Sequence, residues 1–295
     1  MKRKIIPLLG LLMFFSCNKK EIKEQQNAKI SILKKVDITN ALLRENIKSY
    51  QTIAVLDHHR MAQAEGVYTP PSILTIFSDS AINSELLLKD QLIGLDLPFK
   101  ILTYSEPDTT GASIAYTSAD FIQKRHNLTA EDVSNYRKSL TTALNHFDEH
   151  LISKTKLDSV SKGFGMIQIP SDFDFQTTIK NLKAIVHAQN DTKWFGEIDY
   201  QKQAKNLNIK IEPTTLLLFG APKPGAMAMI TSPKIGLDAF CQKLLVYEQN
   251  GKTVVAFNDI VAFSKLYYHS ATKPQIGINQ RLITTFTKAI TIQKN

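Results

Sequence analysis

Two points along the chain bring acid–base and metal-binding side chains together. Asp57, His58 and His59 are consecutive, and His126 closes the basic run Lys124-Arg125-His126. A carboxylate beside imidazoles can transfer protons, and it is also a donor set for zinc or another transition metal. Adjacent strand residues point to opposite faces, so Asp57 and His58 converge only if a strand ends between them. No His-Glu-x-x-His or other fixed-spacing metal motif accompanies them. The competing reading is structural: Asp57 caps a following helix, and the histidines pack or face solvent. On residue chemistry alone, Asp57, His58 and His126 are candidate catalytic groups. With His59 they are candidate ligands for a transition metal, the one cofactor this donor set would take.

Gly220, Pro222 and Gly225 frame a second candidate. The 220–225 stretch superficially resembles a phosphate loop, but Ala226-Met227 stands where Lys-Ser/Thr is needed. Pro222 and Pro224 also remove two backbone N–H donors. A rigid loop at the mouth of a pocket is the better expectation, with Met227 and Met229 lining an adaptable apolar cleft or packing in the core. Asp96 and Asp238 stand at equivalent places before a hairpin. They read as turn residues satisfying backbone donors or as ligand contacts. No Gly-x-Ser-x-Gly elbow occurs, and Cys241 has no motif around it, so neither a serine nor a cysteine triad can be placed.

The elements that must position these groups begin after an N-terminal signal. Lys2, Arg3 and Lys4 precede an apolar run over 5–15, followed by Ser16-Cys17. A membrane-spanning helix needs about 20 apolar residues, so the run reads as the core of a secretory signal. Its Ser-Cys ending resembles a bacterial lipobox, which implies cleavage before Cys17 and acylation of its sulfur. Two or three acyl chains hold a protein firmly to a membrane. The expected location is the cell envelope, lipid-anchored and facing the periplasm. Residues 18–28 are polar without an apolar period and read as a disordered tether.

The 295 residues carry a net charge of +9, of which Lys2, Arg3 and Lys4 supply three, leaving +6 after cleavage. No arginine-rich or base-stacking motif accompanies that charge, so nucleic acid is not an expected partner. The expected partners are the membrane, and a small molecule or another envelope protein. Apolar residues at 43% and charged residues at 21% are normal for a globular chain.

The chain repeats itself at a spacing near 142 residues. Residues 71–77 are echoed by 213–219, Gly94-Leu95-Asp96 by Gly236-Leu237-Asp238, and Ala115-Tyr116 by Ala256-Phe257. In the second copy, 166–169, 194–198 and 214–219 read as strands, and Asn250-Gly251 marks a hairpin between 244–248 and 253–257. Phe175, Ile179, Leu182 and Val186 follow Ser171, a candidate N-cap, at helical spacing. Further helices are expected at 201–207, 260–269 and 278–292. In the first copy a helix capped by Thr129 is expected to carry Val133, Tyr136, Leu140, Leu144, Phe147 and Leu151 as one stripe.

The run from Ile198-Asp199 through Glu212-Pro213 to Phe219-Gly220-Ala221-Pro222 and Gly225, with Phe257-Asn258-Asp259, resembles the bacterial family called domain of unknown function 302. Asp57-His58, the 95–100 segment and Arg125-His126 resemble it in the first copy. The resemblance implies an α+β fold: two tandem copies of a TATA-binding-protein-like unit, each a mainly antiparallel curved sheet with helices on one face. It further implies an intramolecular pseudo-dimer and brings no established activity. The divisions expected are a signal over 1–17, a tether over 18–28, a first repeat over 29–152, a linker over 153–162 and a second repeat over 163–295. The first copy keeps Asp57-His58 and Arg125-His126 and has lost the glycine loop. The second keeps most of that loop, has Tyr200 in place of the histidine, and has Ala239-Phe240 in place of Leu-Pro. A site is then either composite across the pseudo-dimer or decayed. The leading functional expectation is a binding module using a groove between or within the repeats. The alternatives are a metal-dependent or acid/base enzyme at Asp57, His58 and His126, and a structural protein that has lost its site.

Overall fold

The computed structural model describes residues 13–238 and 242–292. The signal stretch over 1–12, with Ala239, Phe240 and Cys241, lies outside the described residues. Of Cys17 only the backbone is described.

Helix α1 (Met13–Asn46) comes first among the described residues and carries 18–28, the expected tether, as helix. That stretch has no apolar stripe, but its Lys, Glu and Gln residues are good helix formers. Strands β1 (Gln51–Asp57), β2 (Ser72–Ser78), β3 (Phe99–Tyr104) and β4 (Ser113–Tyr116) then make a four-stranded sheet in sequential order. Every neighbouring pair in it is antiparallel. Helices α2 (His58–Ala64), α3 (Ser80–Leu87), α4 (Ala119–His126) and α5 (Ser134–Ala143) connect or follow the strands.

The second repeat has β5 (Met166–Pro170), α6 (Phe175–His187), β6 (Lys193–Asp199), α7 (Tyr200–Lys205), β7 (Thr214–Gly220), α8 (Pro222–Met229), β8 (Gln242–Gln249), β9 (Lys252–Asn258), α9 (Ile260–Tyr268) and α10 (Lys273–Ile290). Its sheet runs β5-β9-β8-β7-β6, so β6 to β9 match β1 to β4, and β5 has no partner strand in the first sheet. Both repeats place a short 3-10 turn before the third matching strand, Gln91–Leu95 in one and Pro233–Leu237 in the other. The α+β tandem architecture is therefore the observed one.

Local chemistry sets several boundaries differently from the apolar pattern. Asp174, not Ser171, caps α6, accepting from the Thr177 N–H at 2.9 Å. Helix α5 stops at Ala143 rather than running to 151, and His146 follows in the left-handed region (φ 67°). Helix α10 starts at Lys273 rather than 278, because Thr272 and Gln275 form a capping box and Pro274 suits a first turn. The 220–225 stretch, expected as a rigid loop, instead ends β7 at Gly220 and opens α8 (Pro222–Met229), with Pro222 in its first turn.

The second sheet explains why the repeats stay together. Along β7 and β8, Leu217, Phe219, Leu244 and Val246 join Leu182 of α6 and Phe286 of α10 in one core. The alternate residues Leu216, Leu218, Leu245 and Tyr247 belong to a core that also holds Leu74, Ile76 and Leu102 of the first repeat. Strand alternation sends one face to the repeat's own helices and the other to the neighbouring repeat. The outer face of the first sheet is covered by α1 and α5: Asn40 donates to Thr75 Oγ1 at 2.9 Å, and Tyr136 stacks on Phe99 at 4.4 Å between centroids. No helix among the described residues is long and apolar enough to cross a membrane.

Candidate functional site

The seam between the repeats is built from reciprocal contacts. Helix α2 packs on α8, and α7 packs on α3. Asp57 and Asp199 cap α2 and α7 through the N–H groups of Arg60 and Lys202. The next residue in each case crosses the seam. Tyr200 donates its hydroxyl to the Gly94 carbonyl at 3.3 Å. His58 lies against Gly236, so close that a Cβ there would sit 3.1 Å from His58 Cδ2.

Asp57, His58 and His126 therefore occupy separate surroundings. Asp57 pairs with Arg60, which also bridges to Asp37 of α1 at 2.9 Å. His59 Nδ1 lies 2.6 Å from the Thr69 carbonyl oxygen. His126 lies deep in the seam between Asp96 and Asp90. Among the described residues no group of three or more His, Cys, Asp or Glu side chains is spaced to hold a metal ion.

His58 does meet the glycine segment of the other repeat. It lines a small cavity of about 20 Å³ with Thr69, Phe195, Gly220, Pro222 and Gly225. That volume suits one water-sized occupant. His58 Nε2 and Thr69 Oγ1 are both buried there without a hydrogen-bond partner. Burial lowers the His58 pKa to about 4 against the opposing pull of Asp57, so its imidazole is neutral near pH 7. In the counterpart position stands the larger, fully buried Tyr200.

Asp96 and Asp238 are the centre of a buried charge network, not simple turn residues. Asp96 Oδ1 accepts from Arg125 Nη1 at 2.6 Å and Oδ2 pairs with His126 Nε2 at 2.8 Å. Asp238 Oδ1 accepts from Lys100 Nζ at 2.7 Å and Oδ2 from the Tyr267 hydroxyl at 2.5 Å. Lys243 Nζ reaches back to the Leu95 carbonyl at 2.8 Å. Arg125 donates to the carbonyls of Phe164 and Gly165 and to Asn258 Oδ1, the last at 2.8 Å.

Within the network, opposite charges work against the effect of burial. Burial would raise the Asp96 pKa, but Arg125 and His126 hold it well below the usual carboxylate range. Burial would lower His126, but Asp90 and Asp96 raise it. Lys100 is raised in spite of burial by Asp238 and Asp96. Burial and the neighbouring Lys100 push Lys243 down, against the opposing pull of Asp238 and Asp96. Carboxylates Asp90, Asp96 and Asp238 thus meet Arg125, His126, Lys100 and Lys243 in one buried network.

Sequence reasoning missed Lys100 and Lys243, although each carries a signal. Lys100 is the lone charge of β3, Lys243 directly precedes the apolar run 244–246 of β8, and a buried lysine requires a buried partner.

A larger cleft opens beside this network. It has a volume of about 280 Å³ and is lined by Thr117 and Phe121 of the first repeat, Ser153 and Thr155 of the connecting segment, and Asp238 and Tyr267 of the second repeat. It is near the lower end of the sizes that hold small ligands.

The family model for Domain of unknown function DUF302 matches residues 28–147 and again 167–289. No curated protein matches the chain. A solved structure described as an uncharacterized conserved protein DUF302 from Bacillus stearothermophilus is similar over 43% of this chain and 95% of its own. Its sequence identity is 12% and its TM-score 0.37. The chain carries this domain twice, once in each α+β repeat, and belongs to the DUF302 family.

Proposed function

We propose that this protein is a lipid-anchored binding module of the cell envelope that holds a small molecule in the cleft between its repeats. The observation that carries the reading is the composition of that cleft. Its walls come from both repeats and from the segment joining them, so it exists only in the assembled pseudo-dimer. Binding sites concentrate at such domain seams.

The anchor reading rests on the apolar run over 5–15 and the Ser16-Cys17 ending. Cys17 would take the acyl chains, and no nucleic acid or resident cofactor is part of the reading. Helix α1 reaches the first repeat from Lys29 on, whose Nζ lies 4.5 Å over the Tyr68 ring. At about 1.5 Å per residue, the helix between Cys17 and Lys29 spans roughly 18 Å, a stalk that lifts the repeats off the bilayer.

The test is a ligand screen by thermal shift on the full chain in detergent. A metabolite that stabilises the wild type, and loses its effect when Thr155→Trp obstructs the cleft mouth, supports the reading. A panel of metabolites and lipids with no such hit overturns it.

A further inference from the structure

Lys234 belongs to the 3-10 turn Pro233–Leu237 of the second repeat. The matching turn of the first repeat, aligned on Gly94-Leu95-Asp96 and Gly236-Leu237-Asp238, has Leu92 at that point. An apolar place has been given to an amine that is 6% exposed. Its Nζ leaves its own repeat and lies 3.0 Å from Ser153 Oγ and 3.4 Å from the Ser153 carbonyl oxygen. Ser153 stands in the connecting segment, outside both stretches that match the family model. The pair is therefore made by joining the two copies, and neither copy holds it alone.

Both partners are held in place. The Ser153 N–H donates to the Ile114 carbonyl at 2.8 Å, next to the bridge between Ile114 and Ile152, which fixes the serine on the edge of β4. The Lys234 N–H donates to the Tyr268 hydroxyl at 2.8 Å, and that hydroxyl donates to Glu106 Oε1 at 3.1 Å. The Tyr267 ring centroid lies 4.9 Å from Nζ. Ser153 is half-buried and lines the 280 Å³ cleft, while Lys234 stands behind it, away from water. Glu106 and Asp238 pull the Lys234 pKa up, but burial outweighs them and lowers it. Burial also raises Glu106, so both groups lean toward their neutral forms. Tyr104, Tyr267 and Tyr268 are raised by burial and stay protonated around them. A hydroxyl at a cleft wall, backed by an amine kept from water, is the arrangement of a serine nucleophile and a lysine base. It needs neither a histidine nor a glycine elbow.

We propose that Ser153 and Lys234 form a nucleophile–base dyad that hydrolyses a small carboxylic ester bound in the cleft. This rests on the binding-module reading and names the substrate class of that cleft. Ser153 Oγ attacks the ester carbonyl carbon, and its proton passes to the Lys234 amine. The bond to the alkoxy oxygen breaks, and the alcohol leaves with that proton. Water then attacks the acyl-serine, giving one proton to Lys234, which returns it to Ser153 Oγ as the carboxylic acid departs. Among the described residues the Lys154 and Thr155 N–H groups donate to no backbone carbonyl, which leaves them for the charge that develops on the carbonyl oxygen. Phe121 and Leu157 give the acyl group an apolar wall.

The experiment treats the full chain in detergent with a small alkyl fluorophosphonate, from which a serine displaces fluoride, and locates the adduct by peptide mass spectrometry. Ser153→Ala removes the nucleophile on a half-buried residue. Lys234→Arg keeps a cation beside Ser153 but supplies no base. The expected result is an adduct on Ser153 that is absent in Ser153→Ala, blocked in Thr155→Trp and formed about a hundredfold more slowly in Lys234→Arg. In the wild type the labelling rate should climb with pH to a plateau, with a midpoint below the 10.5 of an ordinary lysine. A rate independent of pH, or unchanged in a folded Lys234→Arg, overturns the base. An adduct on Ser153 that Thr155→Trp leaves untouched overturns the cleft as the place of reaction. No adduct on Ser153, beside a screening ligand that Thr155→Trp displaces, overturns the dyad and leaves the binding module standing. No adduct and no ligand overturns both.

Discussion

His58 and Tyr200 stand at the same point of the two repeats, directly after a capping aspartate, and each reaches across the seam to the 3-10 turn of the other. Tyr200 closes its side with a hydroxyl on the Gly94 carbonyl. His58 leaves a cavity and an unpartnered Nε2. A symmetric framework has thus been filled asymmetrically at the seam.

The buried His58 makes stability depend on pH. Its pKa falls from 6.5 to about 4 on folding, so the unfolded chain takes up the proton first as pH drops. Its contribution is intact above pH 6.5 and is lost as pH falls toward 4, at a cost of about 3 kcal/mol. His126, whose pKa is raised, acts in the opposite sense and stabilises the fold below 6.5. Urea unfolding between pH 4 and 6.5 should show a flatter pH dependence in His58→Gln than in the wild type. An unchanged slope would contradict the assignment.

Arg125→Met should destabilise the protein by about 3–5 kcal/mol, because it leaves Asp96 buried with its main partner removed. Asp120, which pairs with Arg137 on the exposed surface, sets the comparison. Asp120→Asn should cost under about 1 kcal/mol. Denaturant titration of both variants checks the contrast.

The repeats should not fold separately. Leu216, Leu218 and Leu245 would lose their cover if 163–295 were produced alone, as would Leu74, Ile76 and Leu102 in 29–152. We expect each half to be aggregated or molten alone, and the two to assemble when produced together. A monodisperse, cooperatively unfolding single half would contradict the shared core.

Cys17→Ala should move the protein from the membrane to the soluble fraction after cell lysis. Detergent-free release of the wild type by salt alone would show that charge, not acylation, holds it.

Much of the fold was legible because the repeat doubled several of the signals. The apolar runs at 73–77 and 214–219 and the Asn250-Gly251 turn each specified an element locally. What sequence could not supply was which residues meet across the seam. Asp57-His58 looked like one acid–base pair, yet a strand ends between them and sends Asp57 to Arg60 and His58 to Gly236. Asp96 and Asp238 looked like turn residues because their counter-charges lie far along the chain, Arg125 for one and Lys100 for the other.

The most direct measurement is the melting temperature of the full chain and of Thr155→Trp across a metabolite panel. A ligand present at about a hundred times its Kd adds about 2.7 kcal/mol of stability. For a chain of this size that raises Tm by about 5 °C. We expect such a rise in the wild type and none in Thr155→Trp. An equal rise in both would place the ligand outside the cleft, and no rise with any compound would contradict a binding role for the seam.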